Sequence, residues 1–256
     1  MPDPVPGTVL VTGGSGYIAG YTIRQLMAEG WTVRATVRSL AREADLRRLL
    51  DVDNARISFH QADLEHDAGW AKAVAGCSHV AHIASPFPAG AVKNADELIR
   101  PARDGVLRAL RFARDAGVTR FVQTSSSAAI AYGHDPERAL YTEDDWTDPK
   151  VPGLAAYVLS KAIAERAARD WIVAEGRGME FCSVNPVAVL GPVMGPDYST
   201  SVMIVEKILS GSIGGVPDIG FAVVDVRDVA DLHVRALNAP DMAGERFIAS
   251  GPFLKI

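Results

Sequence analysis

The sequence predicts an α/β protein built on a doubly wound parallel sheet, with a small loop-rich subregion towards its C-terminus. Three observations predict it. Short apolar, β-branched runs alternate with helically spaced segments over residues 1–185; the first run ends in a cluster of glycines; beyond Asn185 the alternation gives way to crowded prolines and glycines. Parallel strands need a crossover between them, which a helix supplies, so this alternation builds a parallel sheet with helices on both faces.

The elements follow in order. Thr8–Thr12 is a short apolar, β-branched run and reads as a strand buried on both faces. Residues 17–29 carry Ile18, Ile23, Leu26 and Met27 at helical spacing, and Gly30 stops that helix. The unit repeats as strand 31–37, helix 42–50, strand 56–59, helix 67–75 and strand 79–83. A long helix over 94–116, capped by Gly117, leads to a strand at Arg120–Thr124. A helix over 155–175 leads to a strand at 179–184. In that last helix Leu159, Ile163, Ala167 and Trp171 form an apolar stripe that predicts its packing face. Beyond it Pro186, Gly191, Pro192, Gly195, Pro196, Gly211, Gly214, Gly215 and Pro217 mark loops. Helical patterns at 201–210 and 228–237 and a strand-like Arg246–Ala249 interrupt them.

Composition narrows the function. Of 256 residues 48% are apolar and 22% charged, which excludes disordered and fibrous classes, and the net charge of −5 argues against nucleic acid or an anionic membrane as partner. The opening Met1-Pro2-Asp3-Pro4 lacks the pattern of a secretion signal, and no apolar run reaches the ~20 residues of a membrane span. Cys77 and Cys182 lie among apolar residues and read as buried thiols of a cytoplasmic protein.

The first strand runs into Gly13-Gly14-Ser15-Gly16-Tyr17-Ile18-Ala19-Gly20. Two registers fit, Gly14-x-Gly16-x-x-Ala19 and Gly13-x-x-Gly16-x-x-Ala19. Either brings the backbone of a tight turn against a dinucleotide pyrophosphate, which then faces the N–H groups of a helix N-terminus. The glycine string is weak alone; its place between a strand and a helix makes it a Rossmann-type signature. An NAD site usually ends the second strand on Asp or Glu, which holds the ribose 2′-hydroxyl. Here the strand ends Arg34-Ala35-Thr36-Val37-Arg38, with Arg42 one turn on, and guanidinium groups suit the 2′-phosphate of NADP(H). The chain thus divides into a dinucleotide-binding domain over 1–185 and a substrate-side subregion over 186–256 that partly returns to the sheet.

Thr124-Ser125-Ser126-Ser127 ends the fifth strand, and Tyr157 and Lys161 stand i and i+4 on the helix over 155–175. Reducing a carbonyl by hydride leaves an alkoxide that must gain a proton. A phenol can donate it, an ammonium one turn away favours the phenolate left behind, and a serine hydroxyl steadies the developing charge. A lysine there can also hold the nicotinamide ribose. With 6 Tyr and 6 Lys in the chain, a chance Tyr-x-x-x-Lys is expected only ~0.14 times, so the pair adds weight to the glycine turn.

Together Thr12-Gly13-x-x-Gly16-x-x-Ala19, Thr124-Ser125-Ser126, Tyr157-x-x-x-Lys161 and Asn185-Pro186 resemble the extended short-chain dehydrogenases/reductases. Val33-Arg34-Ala35-Thr36-Val37-Arg38, Ile99-Arg100-Pro101-Ala102, Gly105 and Asp225-Val226-Arg227-Asp228-Val229-Ala230 narrow the resemblance to the dihydroflavonol reductase and cinnamoyl-CoA reductase branch, which includes microbial aldehyde and ketone reductases. It spans residues 8–252. The resemblance implies a catalytic triad of Ser126, Tyr157 and Lys161, with Ser127 as the alternative serine. It implies cofactor contacts from Gly13, Gly16, Tyr17 and Ile18 at the turn, from Arg38 to the 2′-phosphate, and from Asp63 and Leu64 to the adenine. Ala84 and Ser85 would line the nicotinamide ribose with Tyr157 and Lys161, Pro186 to Val189 would border the nicotinamide, and Ser201 would lie near the pyrophosphate. Two departures stand out. Ala19 replaces the branch's usual Gly, and the family continues some tens of residues past Ser250-Gly251-Pro252, so the chain reads as a fragment short of a C-terminal tail.

The expected function is NADPH-dependent reduction of an aldehyde or ketone to an alcohol, with a small-molecule carbonyl substrate as partner, in a monomer or homodimer. A nucleotide-sugar epimerase or dehydratase shares fold and triad, but Arg38 and the missing acid at strand two speak against its tightly held NAD. A non-enzymatic dinucleotide sensor often loses the Tyr or the Lys, and both are present here. No metal is expected. His79 and His82, three apart on a strand, point to different faces and read as structural, as does His134. Glu143-Asp144-Asp145-Trp146 reads as a solvated turn, and Met194 and Tyr198 as weak pocket candidates.

Overall fold

A computed structural model describes residues 7–52, 54–86, 94–135, 137–195, 199–212 and 220–255. Met1-Pro2-Asp3-Pro4, Pro196, Tyr198, Gly214, Gly215 and Pro217 lie outside the described residues. The chain runs β1 (Thr8–Thr12), α1 (Tyr17–Ala28), β2 (Thr32–Val37), α2 (Glu43–Leu50), β3 (Ile57–Gln61), α3 (Trp70–Val74), β4 (His79–His82), α4 (Asp96–Asp115), β5 (Arg120–Thr124), α5 (Ala156–Glu175) and β6 (Glu180–Pro186). The rest comprises β7 (Ala188–Leu190), α6 (Thr200–Leu209), β8 (Gly220–Asp225), α7 (Val226–Asn238), β9 (Arg246–Ala249) and β10 (Phe253–Lys255).

Seven strands form one parallel sheet in the order β3-β2-β1-β4-β5-β6-β9. Successive strand residues face opposite sides. Val9 and Val11 of β1 therefore join a core with Ile23 and Leu26 of α1 and Val229 and Leu237 of α7. Leu10 between them joins Val80, Phe121, Val106 and Leu110 of α4, and Ala164 and Ala168 of α5, on the other face. The order reverses between β1 and β4. Open α/β sheets bind ligands outside the carboxyl ends of the strands at such a switch point.

The sequence pattern misleads in two places. The face that α5 buries holds Val158, Ala162, Ala164 and Ala168 with Ser160, Lys161 and Glu165, whereas Leu159, Ile163, Ala167 and Trp171 are only half-buried. Alanines let α5 lie close to α4 and the sheet, and the charged pair turns inward because partners await it there. The stretch beyond Asn185 also contains more strand than its prolines and glycines suggest. β7, β8 and β10 make a second sheet, parallel between β7 and β8 and antiparallel between β8 and β10. β7 and β10, at three residues each, are too short to display alternation.

Two buried imidazoles tie the core to the strand ends. His233 of α7 donates from Nδ1 to the Val229 carbonyl (2.7 Å), so its Nε2 accepts from the Thr124 hydroxyl (2.6 Å). Burial holds His82 down to about 3 and His233 down to about 4, both from an ordinary 6.5. The unfolded chain takes up these protons below about pH 6.5 while the folded chain does not, so stability is lost as the pH falls from there towards 4. The melting temperature is expected to drop between pH 7 and 5. A His233→Asn variant should take up about one proton fewer on unfolding at pH 5, measured by calorimetry in buffers of different ionisation enthalpy. An unchanged proton count would contradict a buried neutral imidazole.

Candidate active site

The glycine turn joins β1 to α1. Gly13 adopts φ +70°, its N–H donates to Thr36 Oγ1 (3.1 Å), and a Cβ there would lie 3.1 Å from Ala84 Cα. The Gly14 N–H donates to the Thr36 carbonyl (2.7 Å), and a Cβ on Gly14 would come within 2.8 Å of the Ala35 Cβ. These glycines let the turn sit down onto β2 and β4. Gly16 then opens α1 with no side-chain cap and no acidic residue in the first turn. Ser15 and Gly16 are exposed. A bare helix N-terminus above a glycine cradle presents unsatisfied N–H groups and a positive dipole end, which fits a pyrophosphate.

Next to the turn, Thr12 Oγ1 accepts from the Ala84 N–H (3.0 Å) and bonds His82 Nδ1 (3.1 Å). This lashes the carboxyl ends of β1 and β4 together and fixes where Ser85 emerges. Lys161 reaches out from α5, with 9% of its surface exposed, and donates to Ser85 Oγ (3.0 Å). Its Nζ also lies 5.8 Å from the ring centroid of Tyr157, which is 37% exposed. The fold therefore brings Gly13, Gly16, Ala84, Ser85, Tyr157 and Lys161 to one edge.

The three serines after β5 separate by environment. Ser125 turns inward and donates to Glu165 Oε2 (2.6 Å). Ser126 begins a 3₁₀ turn at Ser127–Ala129, its Oγ accepting from the Ala128 N–H (3.1 Å). Glu165 is completely buried. It also accepts from Asn185 Nδ2 (2.8 Å), Ser183 Oγ (2.9 Å), Arg246 Nε (2.8 Å) and Arg169 Nε (3.2 Å). Desolvation raises its pKa, but Arg246, Ser125 and Arg169 more than offset this and hold the carboxyl below its usual range. Sequence reasoning missed this cluster. One signal was available: Tyr157, Lys161, Glu165 and Arg169 stand at strict i+4 spacing on α5.

The remaining candidates are more scattered. Arg38 is exposed just beyond β2, and Arg42 lies in the 3₁₀ turn at Leu40–Arg42. Asp63 Oδ1 accepts from the Glu65 N–H (2.8 Å), and the Leu64 side chain packs against Gly105, which lets α4 approach. Ile18 packs into the core. The Tyr17 ring meets Tyr21 edge-on at 6.0 Å. Its hydroxyl is buried with no hydrogen-bond partner among the described residues, and burial pushes its pKa up to about 12. Tyr17 can thus offer a dinucleotide its backbone. Pro186 and Val189 are buried in β6 and β7, and Ser201 lies in the first turn of α6. Met194 lines a cavity with Gly14, Gly16, Arg42 and Leu46 and sits over Gly20 of α1.

The residues read as structural have structural partners. His79 meets Trp31 edge-on at 5.0 Å, and His134 Nε2 donates to the Ile130 carbonyl (2.6 Å). The 143–146 segment is more than a solvated turn, because the Arg246 guanidinium lies 3.8 Å from the Trp146 ring centroid and donates to the carbonyls of Glu143 and Asp145. Burial pushes Cys77 up to about 11 and Cys182 up to about 12, which leaves both thiols unreactive. No helix among the described residues is long and apolar enough to cross a membrane, and no three of their His, Cys, Asp and Glu side chains are grouped so as to hold a metal ion.

Residues 9–249 match the NAD dependent epimerase/dehydratase family. This chain belongs to that family. The family member is 35% identical over 253 residues to cinnamoyl-CoA reductase 1 of Arabidopsis thaliana, across 96% of this chain and 71% of the relative. It is 34% identical over 219 residues to dihydroflavonol 4-reductase of Hordeum vulgare, across 82% of this chain. This chain spans 61% of the length of that barley relative. Yeast methylglyoxal/isovaleraldehyde reductase Gre2, solved in complex with NADPH, superposes with a TM-score of 0.86 at 27% identity, covering 97% of this chain and 79% of that one. The resemblance to extended short-chain reductases of the dihydroflavonol and cinnamoyl-CoA branch is borne out.

The packing at the turn makes one position decisive. Gly14→Ala drives a methyl into Ala35 and is expected to cost about 1–3 kcal/mol of stability and to weaken dinucleotide binding at least as sharply. Denaturant unfolding and dinucleotide titration check this; wild-type values for both would show that the turn has room to spare.

Proposed function

We propose that this chain is an NADPH-dependent carbonyl reductase that converts an aldehyde or ketone to the alcohol. One observation carries the reading: Tyr157 and Lys161 share a face of α5 at the sheet's carboxyl edge, and Lys161 is anchored on Ser85 beside the glycine turn. The reductases among the relatives and the NADPH in Gre2 support it.

The turn from Gly13 to Gly16, with the first N–H groups of α1 at Tyr17 and Ile18, would hold the pyrophosphate. Arg38, with Arg42, would take the 2′-phosphate. Asp63 and Leu64 would border the adenine, Ala84 and Ser85 the nicotinamide ribose, and Pro186 to Val189 the nicotinamide, with Ser201 near the pyrophosphate. When bound, the reduced nicotinamide supplies the hydride. Tyr157 donates its hydroxyl proton to the carbonyl oxygen, so that the product leaves as a neutral alcohol. Ser126 donates a hydrogen bond to the same oxygen while negative charge builds there. The Lys161 ammonium stabilises the charge left on the phenol oxygen and holds the ribose.

Tyr157→Phe keeps the ring and removes the proton, so NADPH consumption over a panel of aldehydes and ketones should fall by ~10²- to 10⁴-fold while NADPH still binds. Wild-type turnover in that variant would overturn the proposal. Arg38→Ala should raise the Kd for NADPH about tenfold or more and leave NADH binding unchanged, because only the 2′-phosphate loses a charge-assisted partner. Equal weakening of both dinucleotides, read by fluorescence titration, would remove Arg38 from that role.

A further inference from the structure

Glu165 is a buried charge that the proposed chemistry does not use. Taking a carboxylate out of water is costly, and an apolar residue of similar volume would serve stability as well or better. Its surroundings point to another role. Five residues donate hydrogen bonds to it, Ser125, Asn185, Ser183, Arg246 and Arg169. Two of them act directly on the segment that carries Ser126. Ser125 is the preceding residue, and its N–H also extends the β5–β6 ladder to the Val184 carbonyl (2.7 Å). Asn185 Nδ2 bonds Glu165 Oε2 (2.8 Å) and the Ser126 carbonyl (3.2 Å) together.

The far side of the segment is gripped as well. Thr147 is fully buried, its hydroxyl donates to the Ala128 carbonyl (2.8 Å), and its N–H donates to the Ala129 carbonyl (3.0 Å). Glu165 rides on the helix that carries Tyr157, two i+4 steps or about 12 Å along the axis. One helix therefore carries both the phenol and the carboxylate that bonds Ser125 and Asn185.

We propose that Glu165 is a positioning residue: acting through Ser125 and Asn185, it sets the Ser126 hydroxyl in register with Tyr157. This rests on the carbonyl reductase reading above. Small misplacements of a catalytic group cost rate out of proportion to stability.

The test is a double-mutant cycle on the full chain with NADPH and its best carbonyl substrate. Ser125→Ala should lower kcat ~10- to 100-fold with little change in KM or in the Kd for NADPH, and Ser125→Thr, which keeps a hydroxyl, should restore most of it. In a Ser126→Ala background, Ser125→Ala should cost nothing further, because the group it positions is gone. Glu165→Gln should behave like Ser125→Ala, with a larger fall in melting temperature; where it fails to fold, the serine variants decide alone. Additive losses, no recovery with Thr, or a loss that follows melting temperature and NADPH affinity would overturn the positioning role. If Tyr157→Phe and Ser126→Ala themselves keep wild-type turnover, both readings fall. If those two lose turnover and Ser125→Ala keeps it, only this inference falls.

Discussion

The geometry of the site depends on the buried carboxylate of Glu165. It is the point where α5, the end of β5, β6 and β9 are tied together, through Ser125, Ser183, Asn185 and Arg246. Arg246 extends the tie to the 143–146 segment and stacks on Trp146. A charge in this position must be paired on every side, and breaking such a pairing exposes an uncompensated ion. The same network holds the segment Ser125–Ala129, whose Ser126 and Ala128 carbonyls accept from Asn185 and Thr147.

A second lashing serves the other half of the edge. Thr12, His82 and the Ala84 N–H connect the ends of β1 and β4, and Thr36 grips the glycine turn from β2. Parallel strands deliver all their carboxyl ends to one side, so a few short side chains suffice to bring residues from distant parts of the chain together there. Lys161 crosses between the two halves, rooted in α5 beside Glu165 and bonded to Ser85 after β4.

Much of this was legible in the sequence. The glycine turn, the alternation up to Asn185 and the Tyr157–Lys161 spacing are local patterns, and local patterns survive in a linear reading. The rest depends on residues that meet only in three dimensions. Glu165 looks like an ordinary helix-surface acid until Asn185 and Arg246 arrive from β6 and β9, 20 and 81 residues away. The same arrival explains the mistaken stripe on α5. Apolar Leu159 and Ile163 outranked a charged face that is buried because it is paired. β7 and β10 were hidden by their length.

The family match over residues 9–249 and the superposition of Gre2 on 97% of this chain agree with this fold. The proposed chemistry needs the phenol, the ammonium and the serine arranged around one substrate carbonyl. A crystal structure of the protein with NADP⁺ and a bound ketone or alcohol tests it most directly. The Tyr157 and Ser126 hydroxyls are both expected within about 3 Å of the ligand oxygen, with Lys161 on the ribose. A ternary complex in which the ligand oxygen contacts neither hydroxyl would contradict it.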